Sequence, residues 1–477
     1  MLEETSAKLS GPACLRRGPG WLTFVIALAG TFSAFYPHGA LNVLLPVIAK
    51  ELVIDTDLIV VINIFYSLIS GVLTLPFGRL GDRIGYQKLF LWGQGVLVAV
   101  TALTTVFARN FISLVLFRSA LAVGAAMVQS VVQAMLSQAY PGMRGRMMGL
   151  YSMAVSYSGA FSPLISGALS VVVGWRLALA FGGVFSIIAL VLGLLFLGEF
   201  VCKPTRSDRL GTALLVITLG TLMVALNART ITIPTYLMIS LLAVFAVSLF
   251  FFIRVENRAE APLLDFKLLK NKQFALGFVG CLLGYLVSSG TNTALPFFVQ
   301  DVKFQTATVS SLCTMGFSFM MGTLGPFTGG WCDRKGPFRY MLAAMIIQAL
   351  AVLGYCTLTE NSPLALVIIC VVIYGIGGGL FYAPVTSMVM GSVPASSGGV
   401  ASGMMSTARN LGSGIGITIF SIVVGMTARG DVAFNNYIVG QRIDMFIMLG
   451  LNVLNIVIMA VLYMTFGRQK KTTQAEN

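Results

Sequence analysis

The chain has 477 residues, 57% of them hydrophobic and only 10% charged, with a mean hydropathy of +0.89 and a formal net charge of +14. Soluble globular proteins carry about 25% charged residues, so this composition excludes a water-soluble enzyme or binding domain. It fits a chain that crosses a bilayer many times.

Runs of about 20 apolar residues, the length that spans the hydrocarbon core, recur from end to end. They predict spans at about 21–47, 58–78, 88–107, 111–136, 147–172, 176–198, 210–228, 234–253, 274–299, 308–331, 339–358, 363–390, 397–427 and 443–466. Residues 1–20 form a polar tail, and the run after it is too long for a signal-peptide core. Threading the spans from a cytoplasmic N-terminus puts most basic residues on one side, among them Arg79, Arg83, Arg144, Arg146, Arg254, Lys272 and Arg334. Only Lys50, Arg109, Arg176, Arg229, Lys303, Arg429 and Arg442 fall on the other. That is the positive-inside bias. It places both termini, including the 467–477 tail, in the cytoplasm. The positive charge is therefore topological, and no nucleic-acid partner is expected. All four tryptophans, Trp21, Trp92, Trp175 and Trp331, fall near predicted interfaces. The seven cysteines show no metal or disulfide spacing, and no cofactor is expected.

The first span contains the chain's only histidine, His38, behind Pro37 and one helical turn before Asn42. After the second span comes PFGRLGDRIGYQK, residues Pro76–Lys88, and after the tenth GPFTGGWCDRKGPFR, residues Gly325–Arg339. Gly78, Asp82, Arg83 and Gly85 align with Gly329, Asp333, Arg334 and Gly336. Two such copies in matching loops imply two six-helix halves, 21–198 and 274–466, related by an axis along the membrane normal. The linker 199–273 then carries two inserted spans.

The fourth span holds Arg118, with Gln129 and Gln133 on the same helical face. In the fifth, Ser158, Ser162, Ser166 and Ser170 form a small-residue stripe beside Pro163 and Gly167, expected to pack between the halves. In the ninth, Asn292 between Gly290 and Pro296 predicts an irregular helix lining a cavity. Arg409 falls mid-way along the thirteenth. No carboxylate is placed within a span, Asp444 being counted with the outer ones.

The loop Gly78–Lys88 resembles the signature loop of the major facilitator superfamily. Arg118 in FRSALAVGAA resembles its fourth-helix arginine motif, with Leu121 and Ala122 in place of Gln-Gly. SGAFSPLISGAL resembles the fifth-helix motif of its drug antiporters, with Ser162 and Ser166 where glycines are usual. Glu256–Phe274 and Ser406–Phe420 are similar to stretches of the fourteen-span drug/proton antiporters. The resemblance implies an all-α membrane protein of fourteen helices, two pseudo-symmetric bundles plus an inserted pair. It further implies proton-coupled export of small amphipathic compounds by alternating access across the cell membrane.

The residues themselves leave a rival open. Members of that family often carry an acidic residue in the first helix, where this chain has Tyr36, Pro37, His38 and Asn42. A cavity built from His38, Asn42, Arg118, Gln129, Gln133, Asn292 and Arg409 suits an organic anion, with His38 titrating. Asp82 is expected to meet a helix N-terminus of the opposite half, and Arg83 to pair across the cytoplasmic face. Together with Gly78, Gly85, Asp333, Arg334 and Gly336 they would form the gate. No catalytic constellation is expected, and a non-transporting sensor is the alternative from another class. The expected partners are a small-molecule substrate, protons and the lipid bilayer.

Overall fold

The computed structural model describes residues 20–52, 56–198, 200, 209–226, 234–257, 266–305, 307–394, 397–427 and 433–467. Regular structure among them is entirely helical. Apolar runs of this length satisfy every backbone group internally, the one solution available in lipid apart from a closed barrel. In chain order the helices are α1 (Gly20–Leu52), α2 (Thr56–Ile84), α3 (Tyr86–Phe107), α4 (Phe111–Ala139) and α5 (Arg144–Phe196). Next come α6 (Arg209–Leu226), α7 (Thr235–Glu256), the short α8 (Phe266–Lys270) and α9 (Lys272–Phe297). The last five are α10 (Ala307–Lys335), α11 (Phe338–Cys356), α12 (Leu364–Gly391), α13 (Gly398–Thr427) and α14 (Ala433–Leu462).

Ten helices among the described residues are long and apolar enough to cross a membrane, by length and composition. α2, α6 and α10 fall outside that set. The fifth and sixth expected spans are the two helical limbs numbered together as α5, which meet at Gly174, a non-helical residue whose φ of +81° is open to glycine and strained for other residues.

α1 packs along both limbs of α5, α3 on α4, and α2 on α4. After residue 272, α9 packs on α13, α10 on α12, and α11 on α12 and α14. Two seams join these sets, α5 against α10 and α2 against α13. The inserted helices pack on each other, and α6 also leans on α2 and α13.

Several expectations are corrected by the packing. The serine stripe does not face the second half. Ser158 Oγ donates to Phe32 O (3.1 Å) and Ser166 Oγ to Ala40 O (3.3 Å), and Ser162 Oγ fills the space beside Gly39. Ser158, Ser162 and Ser166 therefore join α5 to α1, beside the half-buried Pro163 and Gly167. The seam face of α5 is instead made by glycines. α9 is helical through Pro296, and Asn292 Nδ2 and Thr293 Oγ1 bond back to Ser288 O (2.8 Å) and Ser289 O (2.7 Å) one turn earlier. The irregularity is a π turn at Phe298–Val302. The two repeated motifs are helical until the turns at Gly85 (φ +99°) and Gly336 (φ +80°). Trp175 is buried, donating to Glu51 Oε2 (2.7 Å). Asp444 lies within α14 and is fully buried, so one carboxylate does occupy a span.

Candidate functional site

Two helix N-termini are capped across the seams, both at the end of the molecule that carries the basic loops. The carboxylate of Asp82, near the end of α2, accepts from Gly399 N (2.6 Å) and Val400 N (2.9 Å), the first turn of α13. Tyr86, one turn further on, donates to the same carboxylate at 2.6 Å and accepts from Gly399 N at 2.9 Å. Asp333, near the end of α10, accepts from Gly145 N (2.7 Å) and Arg146 N (2.9 Å), the first turn of α5. Free N–H groups and the helix dipole make this position favourable for a carboxylate. Asp82 is buried, and that burial raises its carboxyl to about 6, against the lowering effect of Tyr86, the two amides and Arg79. Arg83 and Arg334 are exposed. The ion pair expected of Arg83 is absent among the described residues, where Arg176–Glu51 is the pair present.

The same ends approach closely through glycine. A Cβ on Gly78 would lie 2.3 Å from Gly399 O, one on Gly149 2.1 Å from Gly325 O, and one on Gly329 2.0 Å from Gly145 O. Neither backbone can yield to such an atom. The basic end is thus shut along both seams. Gly145-x-x-x-Gly149 and Gly325-x-x-x-Gly329 carry the spacing of close helix pairs. That signal was legible in the sequence and marks Gly145 and Gly149, which the motif reading left out.

Arg409 sits further along the α2–α13 seam. Its Nη2 donates to Gln129 Oε1 (2.8 Å), its Nη1 to Tyr151 Oη (3.1 Å), and its guanidinium lies 4.8 Å from the Phe35 ring centre. It therefore ties α13 to α4, α5 and α1. Phe35, Tyr151 and Tyr66 carried no signal in the sequence, because aromatic residues are spread through every span.

His38 lies three residues beyond Phe35, on the same face of α1. Phe35 meets the second half, so that face looks toward the space between the halves, and there His38 is exposed. Its ring stacks on Tyr66 at 5.9 Å, and Tyr66 Oη donates to Ala34 O (2.9 Å). Arg118 also lies over the Tyr66 ring, 4.6 Å from its centre. It is only 1% exposed, and Nε, Nη1 and Nη2 all lack hydrogen-bond partners. Gln133 is also buried, its side-chain carbonyl unpaired. Asn292 is half-buried, and the side chain of Asn42 lies outside the described residues. The structure thus brings His38, Tyr66 and Arg118 together, and Arg409 with Gln129. Asn292 is bonded within its own helix.

A sequence model of the Major Facilitator Superfamily matches residues 27–417. The riboflavin transporter RibZ of Clostridioides difficile is 27% identical over 404 residues, which are 84% of this chain and 87% of that one. The tetracenomycin C resistance and export protein of Streptomyces glaucescens is 24% identical over 436 residues, 90% of this chain and 80% of that one. Among solved structures, the human organic anion transporter MFSD10 matches with a TM-score of 0.67 at 15% identity, covering 93% of this chain and 100% of that one.

Proposed function

Because the chain belongs to the major facilitator superfamily, whose members are transporters rather than enzymes, we propose that it is a secondary active transporter that works by alternating access. In this reading it has fourteen spans in two six-helix bundles plus the inserted pair α6–α7. The basic end faces the cytoplasm, and the substrates are small amphipathic organic compounds exported in exchange for protons. The observation that carries it is the asymmetry of the seam. Asp82 and Asp333 cap helices across it at one end, while His38 is exposed between the halves further along. Relatives named for riboflavin transport and for tetracenomycin C export support a small organic substrate.

One observation favours substrates that carry negative charge. The wall beside His38 and Tyr66 is backed by the unpaired cation Arg118, and no carboxylate hydrogen-bonds or ion-pairs with either His38 or Arg118 among the described residues. An anion drawn to that wall would favour protonation of His38, so in this second reading the anion and the proton are carried together rather than exchanged. The test is thermal stability of the purified protein at two pH values with aromatic carboxylates, their methyl esters and lipophilic cations, since a bound ligand stabilises by mass action. Stabilisation by the carboxylates, larger at the lower pH and lost in its pH dependence in His38→Gln, is the expected result. Stabilisation by cations alone would remove the anion reading.

A further inference from the structure

We propose that Arg118 holds a monatomic anion, chloride in most media, in a side cavity within the first half, separate from the opening that His38 faces. The cavity is enclosed by α1, α3, α4 and the second limb of α5, through Pro37, Thr101, Thr104, Arg118, Arg176 and Leu179. About 10 Å³ of it is open to the centre of a water-sized sphere, the space of one water or one small ion.

Three features select an anion over water. Arg118 is 1% exposed, and all three of its guanidinium nitrogens lack an acceptor. Tyr66 covers one side of it, at 4.6 Å, and His38 is not among the residues that line the cavity. A water would supply an acceptor but leave the charge uncompensated, whereas a chloride supplies both. Second, the other end of the cavity carries another guanidinium, Arg176, whose Nη2 donates to Ala108 O (3.1 Å) and whose Nη1 pairs with Glu51 at 2.5 Å. Its pairing with Glu51 tempers its field without bringing a carboxylate into the cavity lining. Third, a spare donor is present. Thr104 Oγ1 and Thr105 Oγ1 donate to Val100 O (2.7 Å) and Thr101 O (2.9 Å), while the hydroxyl of Thr101 makes no hydrogen bond among the described residues. The remaining wall is apolar, which excludes a larger hydrated anion.

The test compares thermal unfolding of the full chain in sodium chloride, bromide, sulfate and gluconate at matched ionic strength. Chloride and bromide are expected to raise the midpoint saturably by a few degrees over gluconate. The rise should vanish in Arg118→Gln and in Thr101→Val, the second of which leaves the cation in place. A bromide peak in anomalous difference density beside Arg118 is expected in crystals. Equal midpoints in chloride and gluconate would overturn the proposal. So would a sulfate effect as large as that of chloride, which marks general salt exclusion, or a chloride effect unchanged in Arg118→Gln. None of these outcomes depends on which organic substrate is carried, although a bound chloride would offset the field that Arg118 lends to the wall beside His38.

Discussion

Arg118 and Arg409 are both buried cations, yet their surroundings assign them opposite energetic roles. A charge at this depth costs roughly 2.5–3.5 kcal/mol on insertion scales. Arg409 offsets that cost with bonds to Gln129 and Tyr151 and a stack on Phe35. Arg118 has the Tyr66 face and no hydrogen bond. Arg409→Gln is expected to lower stability by about 2–3 kcal/mol, the worth of charged hydrogen bonds plus the penalty on the orphaned Gln129 carbonyl. Arg118→Gln in chloride-free buffer should raise the unfolding temperature while transport is lost, the pattern of a residue retained for function at the expense of stability. Unfolding temperatures of the two variants decide this, and a fall for Arg118→Gln would show that the residue has a structural partner. Both arginines stood out in the sequence, since a basic residue in an apolar run is rare. Their partners did not, because nothing in a one-dimensional pattern tells Tyr66 or Tyr151 from the other aromatic residues. Asp444 was missed for a different reason. It lies just inside the first residues of the last apolar run, and α14 begins eleven positions earlier, at Ala433, burying it.

At the scale of elements, the seams depend on backbone contact between helices. Gly149 on α5 would place a Cβ 2.1 Å from Gly325 O on α10, whereas a Cβ on Gly159 of the same helix meets nothing within 4 Å. Gly149→Val should therefore force the seam apart and cost about 1–3 kcal/mol, while Gly159→Val should leave the unfolding midpoint close to that of the parent. Equal effects of the two would mean that the seam is not set by glycine contact. The helices themselves were legible from hydropathy, and the first copy of the repeated motif pointed, through Asp82, to a partner N-terminus; the matching cap by Asp333 came from the structure. The facing of each helix was not legible. Ser158, Ser162 and Ser166 read as an interface stripe, and an interface they are, but with α1 of the same half. Small-residue spacing reports close packing without saying which neighbour is close.

For the whole molecule, the two capped seams are the elements on which alternating access would act, and they make its pH dependence specific. Asp82 holds its proton up to about 6 in the closed arrangement because it is buried, against an ordinary value of 3.8 when it is in water. The closed end therefore binds the proton more tightly than an opened one, and acidification on that side favours closure. Above about pH 6 the carboxylate is ionised in both arrangements and the effect is flat. Between pH 6 and 4 closure strengthens. Spin labels in place of Lys88 and Pro394, which are exposed on either side of the α2–α13 seam, should report a growing short-distance population across that window. Asp82→Asn should abolish the change, and a distance that lengthens on acidification would contradict this sign.

Flux tests the transport account most directly. Purified protein in sealed vesicles would be given an inward-acid pH step, with a fluorescent aromatic carboxylate, its methyl ester and a lipophilic cation presented separately. The pH step is expected to drive movement of the carboxylate well above protein-free vesicles, with the ester moving more slowly and His38→Gln uncoupling movement from the step. Movement of the cation alone, or carboxylate movement indifferent to both the pH step and His38, would contradict this expectation.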